Sequence, residues 1–378
     1  MGDKIKLKDA CKILNGFAFK SVKYAESGIR IIRIANVQKG YVEDEKPAFY
    51  PESEEPTIRD YMLEENDLLL SLTGNVGRVA LLDRKWLPAA LNQRVACLRI
   101  KDDRVLKDYL YFALLSNKFE NDCIKSSKGI AQKNMSTEWL KEYEIPLQSK
   151  QDQQKITDSL KRLAVVLQDK ASQIEKLDNL VKARFVEMFG DAVVNDKGWP
   201  TEPISKVAPA NSPRIKIDEK VWLLNLDMVE SQSGKVLNKL IVSKDKINAS
   251  TCAFDENNVL YSKLRPYLNK VVLPDQGGYC TTELVPLKPS NKLTREFLAT
   301  LLRSDAFVGY INEKTAGAKM PRVSMNIFRQ FECILPPITL QQRFSEFYRQ
   351  VDKSKFAVQK SLEKTRQLFD SLMQEYFG

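Results

Sequence analysis

Two stretches of the chain carry apolar residues at alternating spacings of four and three. The first runs through Ile156, Leu160, Leu163, Leu167, Lys170, Ile174, Leu177, Val181, Arg184 and Met188. The second runs through Phe344, Tyr348, Val351, Lys355, Val358, Leu362, Thr365, Phe369, Leu372 and Tyr376. Eight of the ten positions in each series are apolar. Such a stripe is the seam of a coiled coil, whereas a helix lying on a globular core needs a wider apolar face. Pro146 and Pro336-Pro337 stand just before the two stretches, and Gly190 and Gly378 just after them, as helix punctuation requires. The pattern predicts two long helices, 150–190 and 338–378, that pair with each other inside the chain.

Elsewhere the apolar period shortens. Strands are predicted over 28–35, 67–72, 78–82 and 94–100, followed by helices over 107–117 and 136–141 and a closing segment at Tyr143-Glu144-Ile145-Pro146. The order recurs downstream as strands over 222–228, 259–263, 270–273 and 282–287, a helix over 295–303, and a close at 333–337. Strands first and helices later argue for an α+β domain, present twice. The predicted division is 1–149 and 191–337 for two globular domains, with 150–190 and 338–378 as the helices between and after them.

The recurrence is visible in the residues themselves. A shift of 188 places Gln153-Gln154-Lys155-Ile156 on Gln341-Gln342-Arg343-Phe344 and Glu187-Met188-Phe189-Gly190 on Glu375-Tyr376-Phe377-Gly378. A shift of 191 places Glu65-Asn66-Asp67-Leu68-Leu69-Leu70-Ser71 on Glu256-Asn257-Asn258-Val259-Leu260-Tyr261-Ser262. A repeat this long is two domains, not a solenoid of short units. Each helix should be about 55 Å long, and the intervening unit about 40 Å across. Only an antiparallel helix pair lets that unit begin and end at one tip, so a pseudo-two-fold dumbbell is expected.

Composition narrows the function. The net charge of +10, pI near 9.1, is shared by both halves and suits two moderately basic DNA-binding modules. The six cysteines are scattered without a C-x-x-C pair and read as reduced core residues. No apolar run reaches the roughly 20 residues of a membrane span, and the polar N-terminus lacks a signal-peptide core, so a cytoplasmic protein is expected. There is no histidine at all, which removes histidine triads, H-E-x-x-H zinc sites and most acid–base schemes. A phosphate-binding glycine loop, a dinucleotide fingerprint and the Asn/Asp-Pro-Pro-aromatic tetrapeptide of amino-methyltransferases are also missing. The sequence points to binding, not catalysis, with no cofactor or metal in this chain.

Two polar loops are the candidate contacts. Thr73-Gly74-Asn75-Val76-Gly77-Arg78 joins two predicted strands; its glycines permit close backbone approach, and Asn75 and Arg78 suit base edges or phosphates. A plain hairpin turn would use the same residues. The second loop, 125–136, gathers lysines with Gln132 and Asn134 around Gly129, making Lys128, Gln132, Lys133 and Asn134 candidates. Its repeat partner, 313–324, supplies Lys319 and Arg322. Where the first copy has its glycine loop, the second has Lys263-Leu264-Arg265-Pro266-Tyr267-Leu268-Asn269-Lys270, with Lys263, Arg265, Tyr267 and Asn269 as candidates.

These features together resemble the specificity subunit of type I restriction–modification systems. They are the strand entering Leu69-Leu70-Ser71-Leu72-Thr73-Gly74-Asn75-Val76-Gly77, the Lys128–Ser136 loop, Ile145-Pro146-Leu147 before a Gln-Gln-bearing heptad helix, and the duplication. The resemblance implies two target-recognition domains, each reading half of a split asymmetric sequence in double-stranded DNA, spaced by the helices. It further implies docking to DNA methyltransferase (modification) subunits that use S-adenosylmethionine, and to a restriction subunit that uses ATP and magnesium. Rival readings are an enzyme with an unrecognised site, a coiled-coil scaffold whose globular ends bind proteins, and the recognition subunit of another restriction–methylation type.

Overall fold

The computed structural model divides the chain into two units, Met1–Lys170 with Ser361–Gly378, and Ala171–Lys360. Residues 3–127, 134–214, 219–248, 250–315 and 321–378 are described. The long helices span Lys150–Phe189 and Ile338–Phe377, and each contributes one part to either unit.

Leu68-Leu69-Leu70 organises the first unit. These residues lie in a four-stranded antiparallel sheet ordered Cys11–Asn15, Val95–Ile100, Leu68–Ser71, Val79–Leu81. Successive strand residues point to opposite faces. Leu68 and Leu70 therefore enter a core with Tyr109, Phe119 and Leu140 of the helices Lys107–Leu115, Asn117–Ser126 and Thr137–Glu142. Leu69 enters a different core with Ile32 and Leu91 of a three-stranded sheet, Phe49–Tyr50, Ile29–Ile32, Ala89–Leu91. Burial on both faces explains the unbroken leucine run. The predicted helix over 107–117 ends at Leu115: Ser116 breaks it, and its hydroxyl accepts from the Phe119 N–H at 3.2 Å as the cap of a further helix, Asn117–Ser126.

The second unit repeats these parts. Val259–Ser262 lies between Val271–Val272 and Leu284–Leu287 in a three-stranded sheet, and a four-stranded sheet runs Leu240–Ser243, Lys220–Leu224, Gly278–Thr281, Thr251–Phe254. The helices are Arg295–Arg303, Asp305–Glu313 and Met325–Arg329, with Ser304 capping Phe307 as Ser116 caps Phe119. Each unit closes by pairing its first strand with its last. Lys4–Lys6 pairs with Glu144–Pro146, and Thr201–Pro203 with Glu332–Ile334.

Within each unit the two helix segments run antiparallel. In the first, Ile156 and Leu160 join a core with Met373 and Phe377, while Lys170 Nζ donates to Ser361 Oγ at 2.8 Å. In the second, Phe185 and Phe189 pack on Phe344, and Lys355 pairs with Asp178. Every seam residue named from the heptad pattern is buried or half-buried. Toward the ends the apolar stripe widens to take in Phe185, Phe189, Met373 and Phe377, because there each helix also packs on a globular core. Gly190 ends the first helix at φ 76°, a left-handed conformation, and donates its N–H to the Val186 carbonyl at 2.8 Å.

Candidate nucleic-acid interface

Strand Leu68–Ser71 leads directly into the glycine loop, and the backbone ties that loop to the second candidate loop. The Met135 N–H donates to the Leu72 carbonyl at 2.9 Å, and Thr73 bridges Asn134. The Leu72 N–H donates to the Arg94 carbonyl at 3.0 Å, which brings in the turn before Val95–Ile100. Two loops proposed separately are thus one junction, to which Arg94 also belongs. Arg94 was not among the sequence candidates, because the turn that carries it has neither a glycine nor a run of charge.

Within this junction the side chains divide into two kinds. Asn75, Arg94 and Asn134 are exposed, and Arg78 is half-buried. The Arg78 guanidinium donates to Gln38 Oε1, and the Asn75 amide oxygen, in the orientation that satisfies it, accepts from Arg78 at 3.3 Å. Thr73 Oγ1 is buried with no partner among the described residues. Ser71 is structural: its hydroxyl accepts from the Arg78 N–H at 3.0 Å and donates to the Asn75 carbonyl, which fixes the loop. Gly77 is also structural. Its φ is 84°, and a Cβ there would meet Cys123 Cβ at 2.9 Å. Lys128, Gln132 and Lys133 lie outside the described residues.

The second unit builds the same junction from different side chains. The Val323 N–H donates to the Lys263 carbonyl at 2.8 Å, Leu264 bridges Arg322, and the Lys263 N–H donates to the Glu283 carbonyl at 2.9 Å. The Ser262 N–H donates to the Lys270 carbonyl at 3.1 Å, as that of Ser71 does to Arg78 at 3.0 Å. By these shared bonds Arg322 stands where the first unit has Asn134, Glu283 stands for Arg94, and Lys270 for Arg78. Arg265 and Tyr267 are exposed, and Lys263 is half-buried. Arg322 Nη2 donates to Glu283 Oε1 at 2.8 Å. Lys270 Nζ donates to the Leu226 carbonyl at 2.9 Å, and burial holds its ammonium below the usual lysine value, with Asp227 opposing. Asn269 is a correction to the candidate set. It is 5% exposed, and its amide donates inward to the Arg303 carbonyl at 2.9 Å, so it supports the loop and has no free face. Lys319 lies outside the described residues.

The chemistry offered is that of donors on rigid backbone. Arginine and asparagine side chains at strand ends match phosphates and base edges. Burial pushes the Cys123 thiol beneath Gly77 well above its usual value, and Cys11 up to about 12, so neither is a nucleophile near neutrality. Among the described residues no His, Cys, Asp or Glu cluster could hold a metal ion, and no helix is long and apolar enough to cross a membrane.

This fold defines a duplicated α+β module whose units share a pair of long helices. The sequence model of the family described as the Type I restriction modification DNA specificity domain matches residues 3–177 and 225–365. The chain belongs to this family. It is 27% identical over 182 residues to the Type I restriction enzyme MjaVIII specificity subunit of Methanocaldococcus jannaschii, covering 47% of this chain and 43% of that one. It is 25% identical over 242 residues to the EcoBI specificity subunit of Escherichia coli, covering 62% and 46%. These matches span less than half the length of those relatives. A crystal structure of a type I restriction–modification S subunit from M. genitalium superposes with a TM-score of 0.62 at 16% identity, covering 100% of this chain and 96% of that one. At that identity the likeness concerns the fold.

Proposed function

We propose that the chain is the DNA-reading subunit of a type I restriction–modification complex, each unit recognising one half of a split, asymmetric target. The observation that carries this reading is the junction built twice on the same hydrogen bonds with different side chains. Arg322 takes the place of Asn134 in the repeat, Glu283 that of Arg94, and Lys270 that of Arg78. A shared backbone with exchanged donors and acceptors is what two readers of different half-sites require. The chain itself makes and breaks no bonds. Modification subunits would supply S-adenosylmethionine and methyl transfer to DNA, and a restriction subunit would supply ATP- and magnesium-dependent cleavage.

Binding of purified chain, with its modification subunit, to a duplex carrying the target tests this. Affinity should fall steeply with salt, as counterion release demands. Chain alone with S-adenosylmethionine should leave DNA unmethylated. A methyl mark from the chain alone, or salt-independent association, would contradict the reading.

A further inference from the structure

The helix pairing carries one polar seam contact in each unit. Lys170 Nζ donates to Ser361 Oγ at 2.8 Å in the first, and Lys355 Nζ donates to an Asp178 carboxylate oxygen in the second. The Lys355 side chain is only 17% exposed, and a polar residue at such a position commonly selects the partner at a cost in stability. Because the two helices are related by the repeat, a pair of identical helices from two copies offers the same seam. What each residue would then face is its usual neighbour's counterpart 188 positions away. The counterpart of Asp178 is Arg366, so two second helices would set Lys355 against Arg366, and by symmetry would do so twice. The counterpart of Lys355 is Leu167, so two first helices would leave Asp178 against an aliphatic side chain. At these positions opposite charges meet when a first helix pairs with a second, and not when two first or two second helices pair.

We propose that Asp178, Lys355 and Arg366 act as a partner selector, making the first long helix take the second and rejecting pairing between second helices of two copies. The attractive contact and the repulsive one share Lys355, which is how a pairing rule gains discrimination beyond what affinity alone provides. If the proposed function holds, the selector keeps one reader of each kind in every helix pair. The selector itself is independent of DNA and is tested without it.

The full chain is refolded from denaturant, where helices choose partners, and the dimer fraction is measured by sedimentation. R366D leaves the Asp178–Lys355 pair intact but turns the second-helix pairing attractive, so its dimer fraction should exceed wild type, by about fivefold per exchanged contact. K355D should also dimerise more. D178K breaks the same intrachain contact yet leaves Lys355 against Arg366, so it should dimerise less than K355D. K355D combined with D178K restores opposite charges within the chain and should dimerise less than K355D alone. Equal dimer fractions across wild type, R366D, K355D and D178K, none at all included, would overturn the proposal. R366D alone, whose substituted side chain is exposed, decides the matter even where the other variants fold poorly.

Discussion

Gln153 and Gln341 make the same three hydrogen bonds 188 residues apart. Gln153 Oε1 accepts from the Leu106 N–H at 2.8 Å, and its amide donates to the Arg104 and Gln148 carbonyls at 2.8 and 2.9 Å. Gln341 Oε1 accepts from the Thr294 N–H at 3.1 Å, and its amide donates to Lys292 and Pro336 at 3.0 and 2.8 Å. Both are fully buried. Each pins the start of a long helix to the loop that opens its unit's helical layer.

Replacing either glutamine by leucine should strand one amide and two carbonyls, costing about 1–3 kcal/mol per group left without water. The loss should stay local. Hydrogen exchange should quicken around 104–106 in Gln153→Leu and around 292–294 in Gln341→Leu, and exchange unchanged in both would remove the pinning role.

Asp67 and its counterpart Asn258 divide a similar task differently. Arg99 clamps Asp67 with two bonds of 2.8 and 2.7 Å, while Asn258 uses its amide to reach the Asn211 and Leu287 carbonyls. Asp67 is 4% exposed, so Arg99→Ala leaves a buried carboxylate and should destabilise by on the order of 3 kcal/mol. Asp67→Asn should be milder, since both residues accept from the third N–H upstream. Denaturant midpoints of the two variants check this order.

On the proposed function, Gly77 belongs to the frame of the junction and Asn75 to its DNA contacts. Gly77→Ala must strain a φ of 84° and crowd Cys123, which should cost about 1–3 kcal/mol. Asn75→Ala touches no core and should be neutral to stability while weakening DNA binding by about 1–3 kcal/mol. Thermal unfolding and binding measured on both variants should show this reversal.

The fold was legible where one physical cause dominates. Heptad spacing marked the helix seam from Ile156 to Met188 because nothing but the partner helix buries its middle. The helix Asn117–Ser126 escaped notice because it is mostly polar and buries chiefly Phe119 and Cys123. The pairing of Lys4–Lys6 with Glu144–Pro146 joins residues too distant for local pattern to show. At the candidate interface, glycine and charge marked the two loops, but the backbone contacts of Leu72 with Met135 and of Thr73 with Asn134, which join them, leave no trace in the local pattern. Asn269 carries no local sign that its amide turns inward to Arg303.

If the long helices set the distance between half-sites, lengthening both should change only the gap. A heptad inserted between Lys170 and Ala171, matched by one between Lys360 and Ser361, adds about 10 Å of helix. The preferred gap should grow by about three base pairs while the half-sites stay the same. A changed half-site, or an unmoved gap, would rule out the spacer role.

The most direct test of two independent readers is a map of methylated bases in DNA from cells expressing the chain with its modification subunit. The map is compared between wild type and the Asn75→Ala, Arg78→Ala, Asn134→Ala triple variant. The expected result is a split motif in which one half relaxes and the other half and the gap persist. Relaxation of both halves together, or an unchanged motif, would contradict the assignment of one reading junction to each unit.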